Sequence, residues 1–171
     1  MECYPFEFLG TDNNGTDEYL RDTLVYRFES QKSSHRYVVR VERYVEHLQC
    51  IKFYDESAVV GYQKFNKLSD TYEPRRILRT VAVIALDTLR LDPEASFFFI
   101  GAADDRDQPG VSTKRYRVYR LFARHTTMIP DAFEHYEVES HSLYVLVNSK
   151  YVLDGYALTN RILAFLGVTN S

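Results

Sequence analysis

Apolar residues recur with a helical period after Pro74. The positions that share one face at i, i+3, i+4 and i+7 spacing are Ile77, Leu78, Val81, Ala82, Ile84, Ala85, Thr88 and Leu89. Proline suits the first turn of a helix, because the N–H that it lacks would have no helical partner there. Pro93 disfavours helical geometry for the residue before it. The pattern therefore predicts a helix that begins at about residue 73 and ends before Pro93.

The next segment, Ser96–Ile100, is apolar without a polar alternate. A strand of this kind is covered on both faces, which in a mixed sheet indicates a central position. Parallel neighbours in such a sheet are joined by a crossover helix. We therefore expect the Pro74 helix and this strand to belong to one βαβ unit.

The N-terminal third alternates between apolar and charged residues. Residues 23–29, 36–45 and 47–54 are predicted to be strands, and residues 59–65 a fourth. The turn-forming run Gly10–Gly15 predicts a loop, and one helical turn is expected over residues 17–22. Together these segments predict a β-meander over about residues 4–66.

A second helix and a hairpin follow the apolar strand. Ser112 or Thr113 is suited to cap a helix that runs to about His125. Residues 133–139 and 143–147 are predicted to form an antiparallel hairpin. This helix–strand–helix–hairpin unit covers about residues 73–147.

The chain is predicted to end in a third helix over about residues 155–166. Gly167 is suited to terminate it. The residues expected to face inward are Leu158, Ile162, Leu163 and Leu166.

Length and composition favour a single α+β domain. The chain has 171 residues, of which 45% are hydrophobic, enough to bury one core. Its net charge of -3 argues against a surface built wholly to neutralise nucleic acid phosphates. Two cysteines form neither a disulfide framework nor a metal motif, so we expect a cytoplasmic protein without a metal or cofactor. Because no run approaches about 18 apolar residues, no membrane partner is expected.

Charged residues that suit a binding site cluster in the second half of the chain. Asp104, Asp105 and Asp107 follow the apolar strand, where open α/β sheets hold ligands. Basic residues begin both central helices, where the helix N-terminus favours anions. The candidate ligand-binding cations are Arg75, Arg76, Arg79, Lys114, Arg117, Arg120 and Arg124. We expect them to converge on one basic surface, with a groove between the aspartate loop and the second helix. A solvated loop beside an ordinary charged surface is the alternative.

The order of strands, helix, strand, helix and terminal hairpin resembles the GNAT acetyltransferase fold. That resemblance implies a mixed, mostly antiparallel sheet flanked by helices. In GNAT enzymes, a glycine-containing loop at the start of the helix after the fourth strand holds the pyrophosphate of coenzyme A. The corresponding residues here, Arg75–Val81, contain no glycine. We therefore do not expect the usual coenzyme loop.

Three motifs resemble small bacterial families, mostly from Bacteroidetes, that are domains of unknown function. The motifs are Tyr72-Glu73-Pro74-Arg75, Asp104-Asp105-Arg106-Asp107 and the rhythm Arg-x-Tyr/Leu-Arg-Leu-Phe at Arg117–Phe122. The similarity covers roughly residues 54–162. It implies a bacterial, cytoplasmic protein and does not indicate an activity.

These features favour a non-catalytic binding module that engages a protein partner, a second copy of itself or an anionic ligand. No catalytic residue is assigned. The first alternative is an N-acyltransferase-like or nucleotide-using enzyme with phosphates held by Arg75, Arg76 and Arg79. The second is RNA binding or cleavage in a toxin–antitoxin or phage-defence setting. It draws on the pattern Arg-Φ-x-x-x-His at Arg120–His125, which resembles that of HEPN ribonucleases. Net charge makes nucleic acid the less favoured partner.

Overall fold

A computed structural model describes residues 2–56, 73–103 and 107–167. Within these ranges, seven strands form one sheet: β1 Phe6–Asp12, β2 Leu20–Glu29, β3 Arg36–Tyr44, β4 Leu48–Asp55, β5 Ser96–Ile100, β6 Phe133–Val138 and β7 Leu143–Asn148. In the same described ranges, three α-helices accompany the sheet: α1 Pro74–Asp87, α2 Lys114–His125 and α3 Gly155–Phe165. The chain is thus α+β, as predicted. The strand predicted at residues 59–65 lies outside the described residues.

The strand order across the sheet is β1-β2-β3-β4-β5-β7-β6. Every neighbouring pair is antiparallel except β4 and β5, which are parallel and are separated in sequence by α1. The predicted βαβ unit and the interior position of Ser96–Ile100 are therefore confirmed. The predicted hairpin is confirmed as β6 and β7.

Two predictions for the N-terminal region are wrong. Gly10–Asp12 continue β1 and pair with β2 across an irregularity that follows Phe8. Gly10 takes φ 142°, which glycine tolerates, so the strand extends into the expected loop as far as Asp12, and the loop begins at residue 13. Leu20 and Asp22 pair with β3, so they belong to a strand rather than to a helical turn.

The two faces of the sheet carry different helices. On one face α1 packs Ile77, Val81 and Ile84 against side chains from β2 and β3. On the other face α3 packs Leu158, Ile162 and Leu163 against a cluster from β4, β5 and β7. Leu166 is 37% exposed, because it follows the last turn of α3, so its predicted inward position is wrong. Gly167 follows with φ 76°, as expected at a helix end.

In the part of the chain that the structure describes, no helix combines the length and the apolar character that crossing a bilayer requires.

Candidate functional site

The parallel strands β4 and β5 diverge. Their pairing joins Leu48–Cys50 to Ser96–Phe98. Both strands continue beyond it, β4 to Asp55 and β5 to Ile100, each paired on its other side with β3 or β7. The carboxyl ends of the two strands therefore separate. Such an edge is where open sheets with parallel strands bind ligands.

A cavity of about 400 Å³ lies over this divergence, between α1 and α2. Its floor includes Ile51 and Phe53 from β4 and Phe97 and Phe99 from β5. Side chains from α1 and α2 form the walls: Leu78, Val81, Ala82, Ala85, Leu86, Tyr119, Phe122 and Ala123. Nearly all of these groups are apolar, so the cavity suits the hydrocarbon part of a ligand.

The cavity also reaches into the gap between the strands. Lys52 and Ile100 contribute to its lining although they alternate with the floor residues, so their side chains belong to the opposite face of the sheet. The Lys52 amine lies 2.8 Å from a carboxylate oxygen of Glu42 on β3. Because the Glu42 carboxylate offsets its charge, Lys52 supplies less net positive charge to the cavity than an unpaired lysine would.

Both helices begin at the open end of the divergence. α1 follows the carboxyl end of β4 and returns to the other end of the sheet, where Thr88 donates a hydrogen bond to buried Gln49 at 2.8 Å. α2 begins close to Gly101, directly after β5. The amino ends of two helices therefore lie near the carboxyl ends of β4 and β5, and each carries partial positive charge.

A set of tight contacts fixes the start of α2. Thr113 caps the helix, since its hydroxyl accepts a hydrogen bond from the Tyr116 N–H at 3.1 Å and donates one to the Gly101 carbonyl at 2.8 Å. The Thr113 N–H donates to the Ser142 hydroxyl at 2.9 Å. A Cβ on Gly101 would lie 2.4 Å from the Tyr116 nitrogen, so only glycine fits there. The capping role predicted for Thr113 is confirmed.

Arg115 and Tyr119 bring polar groups into the apolar wall. Arg115 is only 5% exposed, and both residues line the cavity from successive turns of α2. Burial raises the pKa of the Tyr119 hydroxyl, and the nearby Arg115 guanidinium opposes that rise through its charge and a hydrogen bond. The centre of the Tyr119 ring lies 5.6 Å from the ring centres of both Phe53 and Phe99. Tyr119 therefore contacts both of the diverging strands.

Arg75 and Arg79 lie on the rim of the cavity. Each precedes a wall residue by one helical turn, Arg75 before Leu78 and Arg79 before Ala82. Lys114, at the first position of α2, is exposed at the same end. Among the described residues, no carboxylate forms an ion pair with any of these three cations. In the described part of the chain, the open end of the cavity thus carries three cations without an ion-pair partner, beside the carboxylates of Glu73 and Asp107 at the two helix starts.

Arg76 faces away from this rim. Its guanidinium lies 4.0 Å from the centre of the Tyr4 ring. The Tyr4 hydroxyl donates a hydrogen bond to Glu73, whose carboxylate also accepts one from Ser30 at 2.7 Å. These hydrogen bonds hold the pKa of Glu73 below its usual value. The placement of Arg76 beside Arg75 and Arg79 was wrong, because Arg76 helps to fix the N-terminal segment against α1.

Arg117, Arg120 and Arg124 lie on the far side of α2 from the cavity. Arg124 makes a bidentate pair with Glu137 on β6 at 2.6 and 2.7 Å. Arg120 lies 3.3 Å from a Glu139 carboxylate oxygen. Arg117 donates a hydrogen bond to the Ser112 carbonyl. The expected convergence of all the arginines on one surface was therefore wrong, because the 3.6-residue period places these three away from the cavity, with Arg120 and Arg124 directed toward Glu137 and Glu139.

The predicted aspartate loop is only partly covered by the described residues. Asp104 and Asp105 lie outside them. Asp107 accepts a hydrogen bond from the Lys114 N–H at 3.0 Å, which places its carboxylate at the start of α2. Of the predicted site residues, the structure thus brings Arg75, Arg79, Asp107 and Lys114 to the open end of the cavity.

The cavity itself was not predicted from the sequence. Its signal is the small residues Ala82 and Ala85 on α1 and Ala123 on α2, which the helical pattern counts as ordinary apolar positions. The inward position of Arg115 was not predicted either, since a run of alternating basic residues does not indicate which one turns inward.

Protein-family models, curated proteins and solved structures were compared with the chain, and none matches it. The geometry of the cavity and of its basic end therefore carries the functional proposal.

Proposed function

We propose that this chain is a non-catalytic binding protein for an amphipathic anion. The hydrocarbon part of the ligand lies in the cavity between α1 and α2, and its anionic group lies at the basic open end. The observation that carries this proposal is the position of an apolar cavity of about 400 Å³ directly below the amino ends of both helices.

Charge and burial support this division of the ligand. The cavity walls contain few hydrogen-bonding partners, so a charged head group inside the cavity would lose its hydration without compensation. Arg75, Arg79 and Lys114 are accessible at the rim, where a head group keeps part of its water. Arg115 lies within the wall and is 5% exposed. A ligand with separate apolar and anionic ends matches this arrangement.

A panel of ten-carbon ligands with different head groups tests the proposal. Decanoate, decyl phosphate, decanol and decylamine share one chain, so differences in affinity report on the head. We expect both anions to bind more tightly than decanol, and decylamine to bind most weakly, by isothermal titration calorimetry. A ligand at 100 times its Kd adds about 2.7 kcal/mol of stability, so a thermal-shift series is a second readout. Equal affinities, or no binding by any member, would contradict the proposal.

Charge reversal at the rim separates a local site from a general effect of charge. Arg79→Glu is expected to weaken decanoate binding about tenfold and to leave decanol unchanged, because it removes a favourable charge and adds an unfavourable one. Arg124→Glu, which makes the same change in net charge on the far side of α2, is the matched control. Equal losses in the two variants would place the anion elsewhere.

An N-acyltransferase-like activity is the second candidate, favoured by the topology. The helix between parallel β4 and β5 and the β7 strand inserted beside β5 support the resemblance to GNAT enzymes. The anion would then be the phosphate part of an acyl thioester, held by Arg75 and Arg79 in place of a glycine loop. Incubation with acyl-coenzyme A and a panel of amines would release free thiol if this candidate is correct. Binding of the thioester without thiol release would leave the non-catalytic proposal as the better account.

A further inference from the structure

His47 lies between two carboxylates at the closed end of the strand divergence. Its Nδ1 atom is 2.9 and 3.0 Å from the two carboxylate oxygens of Asp92, and its Nε2 atom is 2.9 Å from a Glu94 oxygen. His47 occupies the turn between β3 and β4 with φ 59°, whereas both acids lie in the segment before β5. The side chain is about half exposed, so protons reach it from solvent.

The backbone places this cluster next to the pairing that holds β4 to β5. The Ser96 N–H donates a hydrogen bond to the His47 carbonyl at 2.9 Å. The register between the strands begins with the next residue, Leu48, and ends at Cys50. The His47 cluster therefore lies directly beside the first residue pair of this short register.

We propose that His47, Asp92 and Glu94 form a proton-dependent clamp on the hinge between β4 and β5. Only the imidazolium form donates hydrogen bonds from both ring nitrogens. Neutral imidazole has one N–H, so one carboxylate then faces a lone pair and the link on that side is lost. The clamp is therefore complete only in the imidazolium form and loses one of its two links in the neutral form.

The surrounding charges contribute to the field at His47. Asp92 and Glu94 are the carboxylates in direct contact with the ring. Arg43 on β3 lies near Asp92 and is itself paired with Asp22 on β2. Glu46, the preceding residue, pairs with Arg161 of α3 at 3.1 Å. Each of these arginines therefore has a carboxylate partner of its own.

Hydrogen–deuterium exchange tests the clamp without any ligand. The variant His47→Gln cannot become a cation. The rates of amide exchange at residues 48–50 and 96–98 are compared between the variant and the parent at the same pH. The intrinsic exchange rate then cancels from the ratio. The comparison is made at about pH 5 and at about pH 8, the two ends of the range in which histidine side chains in general change charge. We expect exchange about fivefold faster in the variant at the lower pH and nearly equal rates at the higher pH.

A second half-exposed histidine supplies the control. His35 contacts Asp55 at 2.7 Å, at the opposite end of β4, so His35→Gln removes a similar pair away from the hinge. This control is expected to leave exchange at residues 48–50 and 96–98 unchanged. Equal parent and His47→Gln rates at both pH values, the same rate ratio at both, or a matching effect of His35→Gln would each overturn the clamp. Because no ligand is present, failure here is distinct from failure of the proposed binding function.

Discussion

The two faces of the central sheet are filled in opposite ways. On the α3 face, Phe98 and Val145 interlock with Ile162, and all three are at most 1% exposed. On the α1 and α2 face, the same strands lie beneath a cavity of about 400 Å³. Protein interiors are normally packed as densely as organic crystals, so a cavity of this size is the exception.

The difference has a local cause in the sequence. One helix with large aliphatic residues covers the α3 face. On the other face two helices present the small residues Ala82, Ala85 and Ala123 to each other above strands that separate. On this same face, α1 closes the part over β2 and β3 with a buried core. We infer that the part above the diverging strands β4 and β5 is left for a ligand, whereas the α3 face is the closed face.

The largest expected contrast concerns the two cysteines. Cys50 is buried on the closed face, and burial raises the pKa of its thiol to about 12. The reactive thiolate is therefore scarce at pH 8, and we expect Ellman's reagent to modify native Cys50 at least about a thousandfold more slowly than partly exposed Cys3. In urea the two should react alike. Rapid modification of native Cys50 would show that the closed face opens readily.

A matched pair of truncations compares the faces directly. Ile162→Ala on the closed face should lower the free energy of unfolding by about 2–5 kcal/mol, because it leaves a void that the surroundings do not fill. Ile51→Ala removes the same atoms beside an existing cavity and should cost less than half as much. Urea denaturation of both variants measures the difference. A larger loss for Ile51→Ala would reverse our assignment of the two faces.

The smallest expected stability effect comes from filling the cavity. Ala82→Leu on α1 should raise the free energy of unfolding by about 1 kcal/mol, since it adds apolar contacts in available space. The same variant should lose decanoate binding. Ala164→Leu, at an exposed position of α3, is the control and should change neither property. Retained decanoate affinity in Ala82→Leu would exclude the cavity as the site.

Much of the fold follows from side-chain periodicity. The spacing after Pro74 and the uninterrupted apolar run at Ser96–Ile100 predict the crossover and the interior strand, because both depend on which side chains are buried. The divergence beyond Cys50 is a property of backbone pairing and leaves no pattern in residue type. The continuation of β1 through Gly10 was equally impossible to predict from residue type, since glycine permits a strand irregularity as readily as a loop.

The candidate site was predictable only in part. Arg75, Arg79 and Lys114 are recognisable from their positions at helix starts. The separation of Arg117, Arg120 and Arg124 from them depends on how α2 is rotated against the sheet, and charge alone does not set that rotation. The inward position of Arg115 has the same origin.

The most direct test of the central claim is to map bound decanoate on the isotopically labelled protein by intermolecular nuclear Overhauser effects. We predict contacts from the alkyl chain to Phe53, Leu78 and Tyr119, with the carboxylate end nearest the starts of α1 and α2. Contacts to Ile162 and the α3 face, or a chain that touches neither α1 nor α2, would contradict it.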